Sequence, residues 1–491
     1  MTDQQRADHL SCSGNQILKT PNLDQLANEG VRFTHAYCSN PMCMPNRATI
    51  FTGKYPSIHH VRCNGINLDS QIPTITQCLS ENGYHTISIG KMHFQYSVPA
   101  YSRKSKSEEC VLDWIIGKRS DNFPLPYYGF NEVELTVGHG DGVVGNYLEW
   151  IIERAPEYAE YIKKRTLNTF KSIYHNTKIP NELYQTTYIT ERTTNFLERY
   201  SNGNYGNKPF FLFCSFPDPH HPVCPPDKYK KLYNESDIPI PSTFSDFENL
   251  LNHEFLGANL RDPNFNSIVL RNTNEEETKK FTAYTYATLT AIDHGVGEII
   301  KTLKKLGLEK DTMIIFTSDH GDLMGDHGML LKGPAHFQGV LRVPLIWKVP
   351  GFDTNKVSSS IVSSIDIPTT ILSLIGIKKL QGMQGVDLTP ILKDPSMKVR
   401  DHCIVEEDED LVFERKKSYR LRTLITENYR MTLYRDHENF GDLFDLKNDP
   451  NEVNNLWRND NYTEVKNNLM KTLLHEIIKI QDEFPKRQAL T

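Results

Sequence analysis

Residues 43–54 read Cys43-Met44-Pro45-Asn46-Arg47-Ala48-Thr49-Ile50-Phe51-Thr52-Gly53-Lys54, a thiol two residues before a proline and four before an arginine. Cys-x-Pro-x-Arg followed by Thr-Gly at this offset arises by chance on the order of 10⁻⁴ times in a chain of this length. The alternative is a buried structural cysteine beside a proline turn. Pro45 disfavours helix at Met44, while Arg47 onward can begin one. That spacing puts Cys43 at or near a helix N-terminus, where backbone N–H groups favour an anion. A second stretch, Thr312-Met313-Ile314-Ile315-Phe316-Thr317-Ser318-Asp319-His320, is a short apolar run ending in polar residues. It predicts a buried strand presenting Asp319 and His320 at its carboxyl end, where open α/β sheets bind ligands. Gly90-Lys91-Met92-His93 follows the run Thr86–Ile89, Pro219-His220-His221-Pro222 follows Phe210–Phe213, and Lys332 lies between Leu331 and Gly333. Alone, each reads equally as a solvated lysine or an ordinary loop histidine. Asn64-Gly65 is first of all a turn signal.

These stretches, in this order, resemble the sulfatase family. In that family a maturation enzyme oxidises the cysteine of Cys-x-Pro-x-Arg to formylglycine. The chemistry explains why: a sulfated thiol or hydroxyl is released slowly, whereas a hydrated aldehyde attacks with one hydroxyl and expels sulfate by returning to the carbonyl. The resemblance implies a divalent metal held by Asp3, Gln4, Asp319 and His320. It implies that Arg47 and Lys91 orient the residue at 43 and that Lys91 and His93 touch sulfate and hydroxyl. Pro-His-x-Pro selects His220 over His221, Lys332 matches a second active-site lysine, and Asn64 matches a substrate-side asparagine of some relatives. The implied reaction is hydrolysis of a sulfate ester, aryl, alkyl or carbohydrate, to inorganic sulfate and an alcohol. Leu443–Glu452 resembles the C-terminal Leu-Tyr-Asp-Leu…Asp-Pro-x-Glu of bacterial members.

Two positions depart from the family. Asp3-Gln4 replaces an Asp-Asp pair, removing one negative charge from the metal cage. Calcium is still expected first, but the amide and the imidazole loosen that preference toward manganese or another divalent ion. The same pair occurs in phosphonate monoester and phosphodiester hydrolases of the alkaline phosphatase superfamily, which keeps that activity as the alternative function. The chain also begins where the family's first core strand would be ending. A strand of roughly five or more apolar residues ahead of Asp3 is therefore expected to lie outside the sequence or to be lacking.

The elements that must position these residues follow from the pattern. Up to residue 375, short apolar strands alternate with helical stretches, predicting an α/β catalytic domain with a large, mostly parallel or mixed sheet. The resemblance makes it alkaline-phosphatase-like. Residues 376–491 predict a small α+β subdomain, with strands at Tyr419–Ile425 and Tyr429–Tyr434 and a helix over 462–482; the family places an antiparallel sheet there. Tyr286, Leu289, Ile292, Val296, Ile299, Leu303 and Leu306 recur at helical steps and predict a helix over 278–306. Asp293 and His294 within it read as packing or surface residues. Residues 100–185 and 225–275 read as excursions walling the substrate pocket. Gly138-His139-Gly140-Asp141-Gly142 reads as a glycine-rich turn, with contact to the leaving group as the alternative.

Composition excludes several classes. The 491 residues carry a net charge of −6 and are 38% hydrophobic. No basic block with interleaved aromatics suggests nucleic acid, and no run approaches a membrane span. Nine cysteines without a Cys-x-x-Cys pair predict plain thiols in a reducing compartment. With no signal peptide in the sequence as given, the expected location is the cytoplasm. No Gly-x-Ser-x-Gly points to a serine hydrolase. A catalytically silent binding protein is the reading from another class.

Overall fold

The computed structural model describes residues 1–99, 106–117, 123–168, 172–261, 270–352, 354–409 and 418–481. In chain order its strands are β1 (Val31–Tyr37), β2 (His85–Gly90), β3 (Glu132–Val137), β4 (Val144–Gly145), β5 (Phe210–Ser215), β6 (Leu270–Asn272), β7 (Ile314–Thr317), β8 (Met329–Leu331), β9 (Leu345–Lys348), β10 (Lys356–Ser363), β11 (His402–Glu409), β12 (Tyr419–Thr426), β13 (Tyr429–Tyr434) and β14 (Gly441–Asp445). One sheet runs β4-β3-β2-β5, with β2 parallel to both β3 and β5. A second runs β10-β1-β9-β7, with β1 parallel to β10 and antiparallel to β9. The expected mixed α/β sheet with flanking helices is thus present, in two halves.

The N-terminal segment lies between the halves. The Met1 ammonium donates to Cys214 O at 2.8 Å, Phe216 N donates to Met1 O at 2.9 Å, and Thr2 N donates to Thr317 O at 3.0 Å. Asp3 N then donates to Asp218 O at 3.2 Å. Asp3 is therefore pinned by three residues of extended backbone that touch β5 on one side and β7 on the other. Below Met1, between β5 and β7, lies an apolar cavity of about 840 Å³ lined by Phe211, Phe213, Ile315 and Val296 among others.

Helices cover both faces. The helix Glu275–Lys305 matches the predicted period; Asn274 caps it by accepting from Glu277 N at 2.9 Å. Glu275–Glu277 stand in its first turn and Lys304 and Lys305 in its last, each sign favoured by the helix dipole. Asp293 caps a neighbouring helix, α1 (Pro21–Asn28), taking Leu23 N and Asn22 Nδ2 at 2.8 Å each, so its role is structural. The short helix α2 (Cys43–Thr52) is wholly buried. Its Phe51 meets Phe94 edge-on at 4.9 Å and Phe213 at 4.8 Å, contacts of about 0.5–1.5 kcal/mol each beyond area burial that fix the helix to the first sheet.

One expectation is corrected. Residues 100–185 are not simply an excursion, because β3 pairs with β2 inside the sheet. Glu132 and Glu134 gave β3 a solvated look, but Arg199 binds Glu132 at 2.5 Å and Arg192 binds Glu134. At the C-terminus β11-β12-β13-β14 form the antiparallel sheet, with Leu469 and Leu473 of the helix Thr463–Lys479 packed in one cluster with Ile404, Leu424 and Met431. This sheet braces the approach to Cys43: Glu406 N donates to Ser39 O at 2.9 Å and Asn40 Nδ2 to Glu406 O at 2.6 Å. Among the described residues no helix is long and apolar enough to cross a membrane.

Candidate active site

Strand ends build the site. The parallel strands β2 and β5 lead at their carboxyl ends to Lys91 and His220, and β7, whose end meets Thr2 of the N-terminal segment in a parallel bridge, leads to Asp319-His320. Gly90 has φ +109°, and a Cβ there would lie 1.9 Å from Ser215 O, so only glycine lets β2 and β5 close at this point. Cys43 opens α2 after an extended Met42, with Asn64 Oδ1 accepting from Met44 N at 3.0 Å. Asn64 thus braces the start of that helix.

Two carboxylates anchor a buried lattice. Arg47 donates through Nε to Asp319 Oδ2 at 2.8 Å, through Nη2 to Asp3 Oδ2 at 3.1 Å, and through Nη1 to Lys91 O at 2.9 Å. Lys91 Nζ reaches Asp3 Oδ2 at 2.5 Å. Burial alone would raise the Asp3 carboxyl, but Lys91 and Arg47 hold it well below the usual range. Buried charges in such mutual contact satisfy the rule that desolvated ions must be paired.

Cys43 Sγ sits over this lattice, 3.1 Å from Lys332 Nζ, 3.2 Å from His320 Nε2 and 3.7 Å from Asp3 Oδ1. Burial, seconded by Asp3, pushes the thiol above its ordinary value. A buried thiol held in this way is a poorer nucleophile than an exposed one. Lys332 Nζ also reaches Gln4 Oε1 and His220 Nε2 at 3.0 Å and His320 Nε2 at 3.1 Å.

The donor set suits a divalent cation. Ligand atoms of Asp3, Cys43, Asp319 and His320 lie within 4.8 Å of one another. His320 Nδ1 donates to Gly321 O at 2.9 Å, which leaves the Nε2 lone pair facing the cluster. Burial, then Lys332, lowers His320 to about 4, so the ring is neutral at pH 7, as a ligand must be. Gln4 Nε2 donates to Asp322 Oδ2 at 2.5 Å and faces His221 Nδ1 at 3.2 Å, which turns Oε1 inward. Two carboxylate groups, an amide oxygen and one imidazole therefore converge.

His93 stands beside them with φ +60° and its backbone N on Glu109 Oε2 at 2.6 Å. Its Nδ1 is buried without a hydrogen-bond partner among the described residues. Burial, then Lys91, holds the ring well below its ordinary pKa, which favours the neutral imidazole. His220 Nδ1 donates to His221 O at 2.6 Å, fixing its tautomer. Asp3, Gln4, Cys43, Arg47, Lys91, His93, His220, Asp319, His320 and Lys332 fall in or against one cluster, whereas Asn64 is engaged by the backbone of Met44 at its edge. The turn at Gly138–Gly142 joins it too: His139 Nε2 lies 2.7 Å from Lys91 Nζ, and its ring stacks on His220 at 3.8 Å. Sequence reasoning preferred a plain turn there; the signal that marks it is a histidine between glycines directly after a strand.

Arg47, Lys91 and Lys332 outnumber Asp3 and Asp319, and a divalent ion would add to that excess. Such a field fits an anionic ester whose leaving oxygen gains charge. Residues 1–377 match the family model Sulfatase, and residues 325–479 match N-sulphoglucosamine sulphohydrolase, C-terminal. The chain is 28% identical over 489 residues to an arylsulfatase of Clostridium perfringens, covering 97% of this chain and 93% of that one. Its fold is similar to the phosphonate monoester hydrolase of Agrobacterium radiobacter, with a TM-score of 0.79, 24% identity, and 100% of this chain and 97% of that chain covered. It is similar as well to a structure in complex with its substrate D-glucosamine-2-N,6-O-disulfate, with a TM-score of 0.72, 21% identity, and 100% and 98% covered. With the family model spanning both carboxylates, the thiol and every cation of the cluster, the chain belongs to the sulfatase family and is a sulfuric ester hydrolase.

Proposed function

We propose that this sulfatase works through a formylglycine made from Cys43 by a maturation enzyme, with one divalent metal held by Asp3, Gln4, Asp319 and His320. The observation that carries the reading is the convergence on Cys43 Sγ of Lys332 at 3.1 Å, His320 at 3.2 Å and Asp3 at 3.7 Å. A metal bound there supplies Lewis-acid polarisation of the sulfate oxygens and of the hydroxyl at position 43. The oxygen-rich donors with one imidazole favour calcium first and manganese next.

The chain's own residues do the rest. Arg47 and Lys91 hold the charge around position 43 and orient its two hydroxyls. One hydroxyl oxygen forms a bond to sulfur as the ester S–O bond on the far side breaks. Its proton passes to the Lys332 and His220 pair, which stands 3.1 Å from Cys43 Sγ through Lys332 Nζ. His220 and Lys332, 3.0 Å apart, meet the departing oxygen and give it a proton. His93 takes the proton from the remaining hydroxyl, sulfate leaves, and the carbonyl at 43 returns. The substrate class is a small aryl, alkyl or carbohydrate sulfate.

The neutral Gln4 supports a second reading, a phosphonate monoester or phosphodiester hydrolase on the same residues. Rates on 4-nitrophenyl sulfate and 4-nitrophenyl phenylphosphonate, measured side by side, separate the two. Faster sulfate release is expected; a phosphonate preference would transfer the same machinery to phosphorus esters.

A further inference from the structure

His139 lies where none of the proposed chemical steps uses it, yet it touches two residues that carry them. It follows β3 between Gly138 (φ +96°) and Gly140 (φ +55°). A Cβ on Gly140 would lie 2.5 Å from Pro222 O and 2.9 Å from Cys224 Sγ, so the turn lies flush against the segment bearing His220. Two residues on, Asp141 is fixed from behind by Tyr161 OH at 2.5 Å, His175 Nε2 at 2.6 Å and Arg165 Nε at 3.0 Å. The turn is thus clamped at both ends, and the His139 ring between them is buried.

The ring is engaged at its edge and on one face. Nε2 stands 2.7 Å from Lys91 Nζ, and an ammonium only donates, so Nε2 accepts and the ring is a neutral imidazole. Lys91 also donates to Asp3 Oδ2 at 2.5 Å; His139 sets a second direction of that ammonium. The flat face stacks on His220 with centroids 3.8 Å and planes 22° apart, and His220 in turn stacks on His221 at 4.3 Å and 19°. The charged or titratable groups facing this stack are Lys91 and His93 after β2, Asp3 of the N-terminal segment, His221 after β5, and Lys332 beyond the stack on His220. To protonate a leaving oxygen, His220 must carry a second proton in a buried place crowded with cations. A stacked His139 ring that stays neutral, as its Nε2 acceptor role requires, adds no further positive charge to that place.

We propose that His139 is a positioning residue for ester cleavage, its Nε2 aiming Lys91 and its ring supporting protonated His220. This rests on the assignment of His220 as the acid for the leaving group. Two substitutions separate the two duties. His139→Phe keeps a stacked ring and loses the acceptor; His139→Asn keeps a short acceptor and loses the ring. Both are measured as the aldehyde-bearing, metal-loaded enzyme on aryl sulfates of increasing leaving-group pKa and on one alkyl sulfate, after thermal melts show them folded.

For His139→Asn, kcat is expected to fall about 10- to 100-fold on poor leaving groups and little on 4-nitrophenyl sulfate, steepening the dependence on leaving-group pKa. For His139→Phe the wild-type slope should persist while KM rises across the series. One uniform loss for both variants, or wild-type kinetics in both, would overturn the proposal. If His139→Asn does not fold, the slope and KM of His139→Phe still decide it, since a steepened slope there contradicts a role for the ring. Should the wild-type enzyme prefer phosphonates, the proposed substrate class falls, and the same comparison is made on substituted phenyl phenylphosphonates with the same pattern expected.

Discussion

At Gln4 the neighbours give a neutral side chain a single orientation. An amide offers an oxygen and an NH₂ of nearly equal shape, and only its neighbours decide which faces a cation. Asp322 accepts from Nε2 at 2.5 Å and also takes Met324 N at 2.8 Å and Leu331 N at 2.9 Å, so its own orientation is set by backbone. Asp322→Asn would turn an NH₂ toward Gln4 and loosen that choice. Divalent-ion affinity, titrated calorimetrically with calcium and with manganese, should weaken about 10- to 100-fold; unchanged affinity would show that Gln4 needs no such guide. Cys43→Ala removes the thiol that maturation acts on but little packing volume. Turnover should disappear while the thermal midpoint and circular dichroism stay near wild type, and appreciable residual turnover would contradict the role given to that residue.

At the scale of elements, two strand ends and one loop set the precision of the site. Gly90→Ala would drive a methyl into Ser215 O, a backbone atom that cannot swing away, at a position already at positive φ. A loss above about 2 kcal/mol in denaturant unfolding is expected, with activity falling alongside. The loop after β2 hangs on Glu109, which accepts from His93 N at 2.6 Å, Phe94 N at 2.9 Å, Gln95 N at 3.2 Å and Tyr127 OH at 3.0 Å. Burial raises Glu109 to about 7 from an ordinary 4.5. The folded protein then binds a proton there more tightly than the unfolded chain. That contribution is complete below pH 4.5 and is lost as pH rises through about 7. Glu109→Gln should flatten this part of the stability profile, by on the order of 3 kcal/mol between pH 4 and 8; parallel profiles for the two proteins would rule it out. The same elements show what was legible beforehand. The long helix declared itself through apolar residues at steps of three and four, and β5 and β7 through unbroken apolar runs. β3 hid because its glutamates find arginine partners on a distant helix, and His139 hid because a glycine-rich turn has the same local signature whether or not a second strand end closes over it.

Across the whole molecule, the site exists only where separate parts of the chain meet. The N-terminal three residues stitch β5 to β7, the first sheet supplies Lys91 and His220, the second supplies Asp319 and His320, and the C-terminal sheet braces the loop that leads to Cys43. Removing a metal from such a junction should be felt beyond the chemistry. Treatment with a strong chelator should abolish turnover and lower the thermal midpoint by several degrees, with both restored by the cation; a midpoint indifferent to chelation would mean that the carboxylates are held by Arg47 and Lys91 alone. The order of the motifs along the chain was readable because each follows a strand, whereas their convergence depends on register between sheets, which no local pattern encodes. The most direct test of the central claim starts from purified protein whose peptide containing position 43 has been weighed. Release of inorganic sulfate from 4-nitrophenyl sulfate would be measured against the fraction of that peptide in the aldehyde form. Turnover proportional to the aldehyde fraction, and absent from the thiol form, is the expected result. Equal turnover from protein that retains the thiol at Cys43 would contradict it.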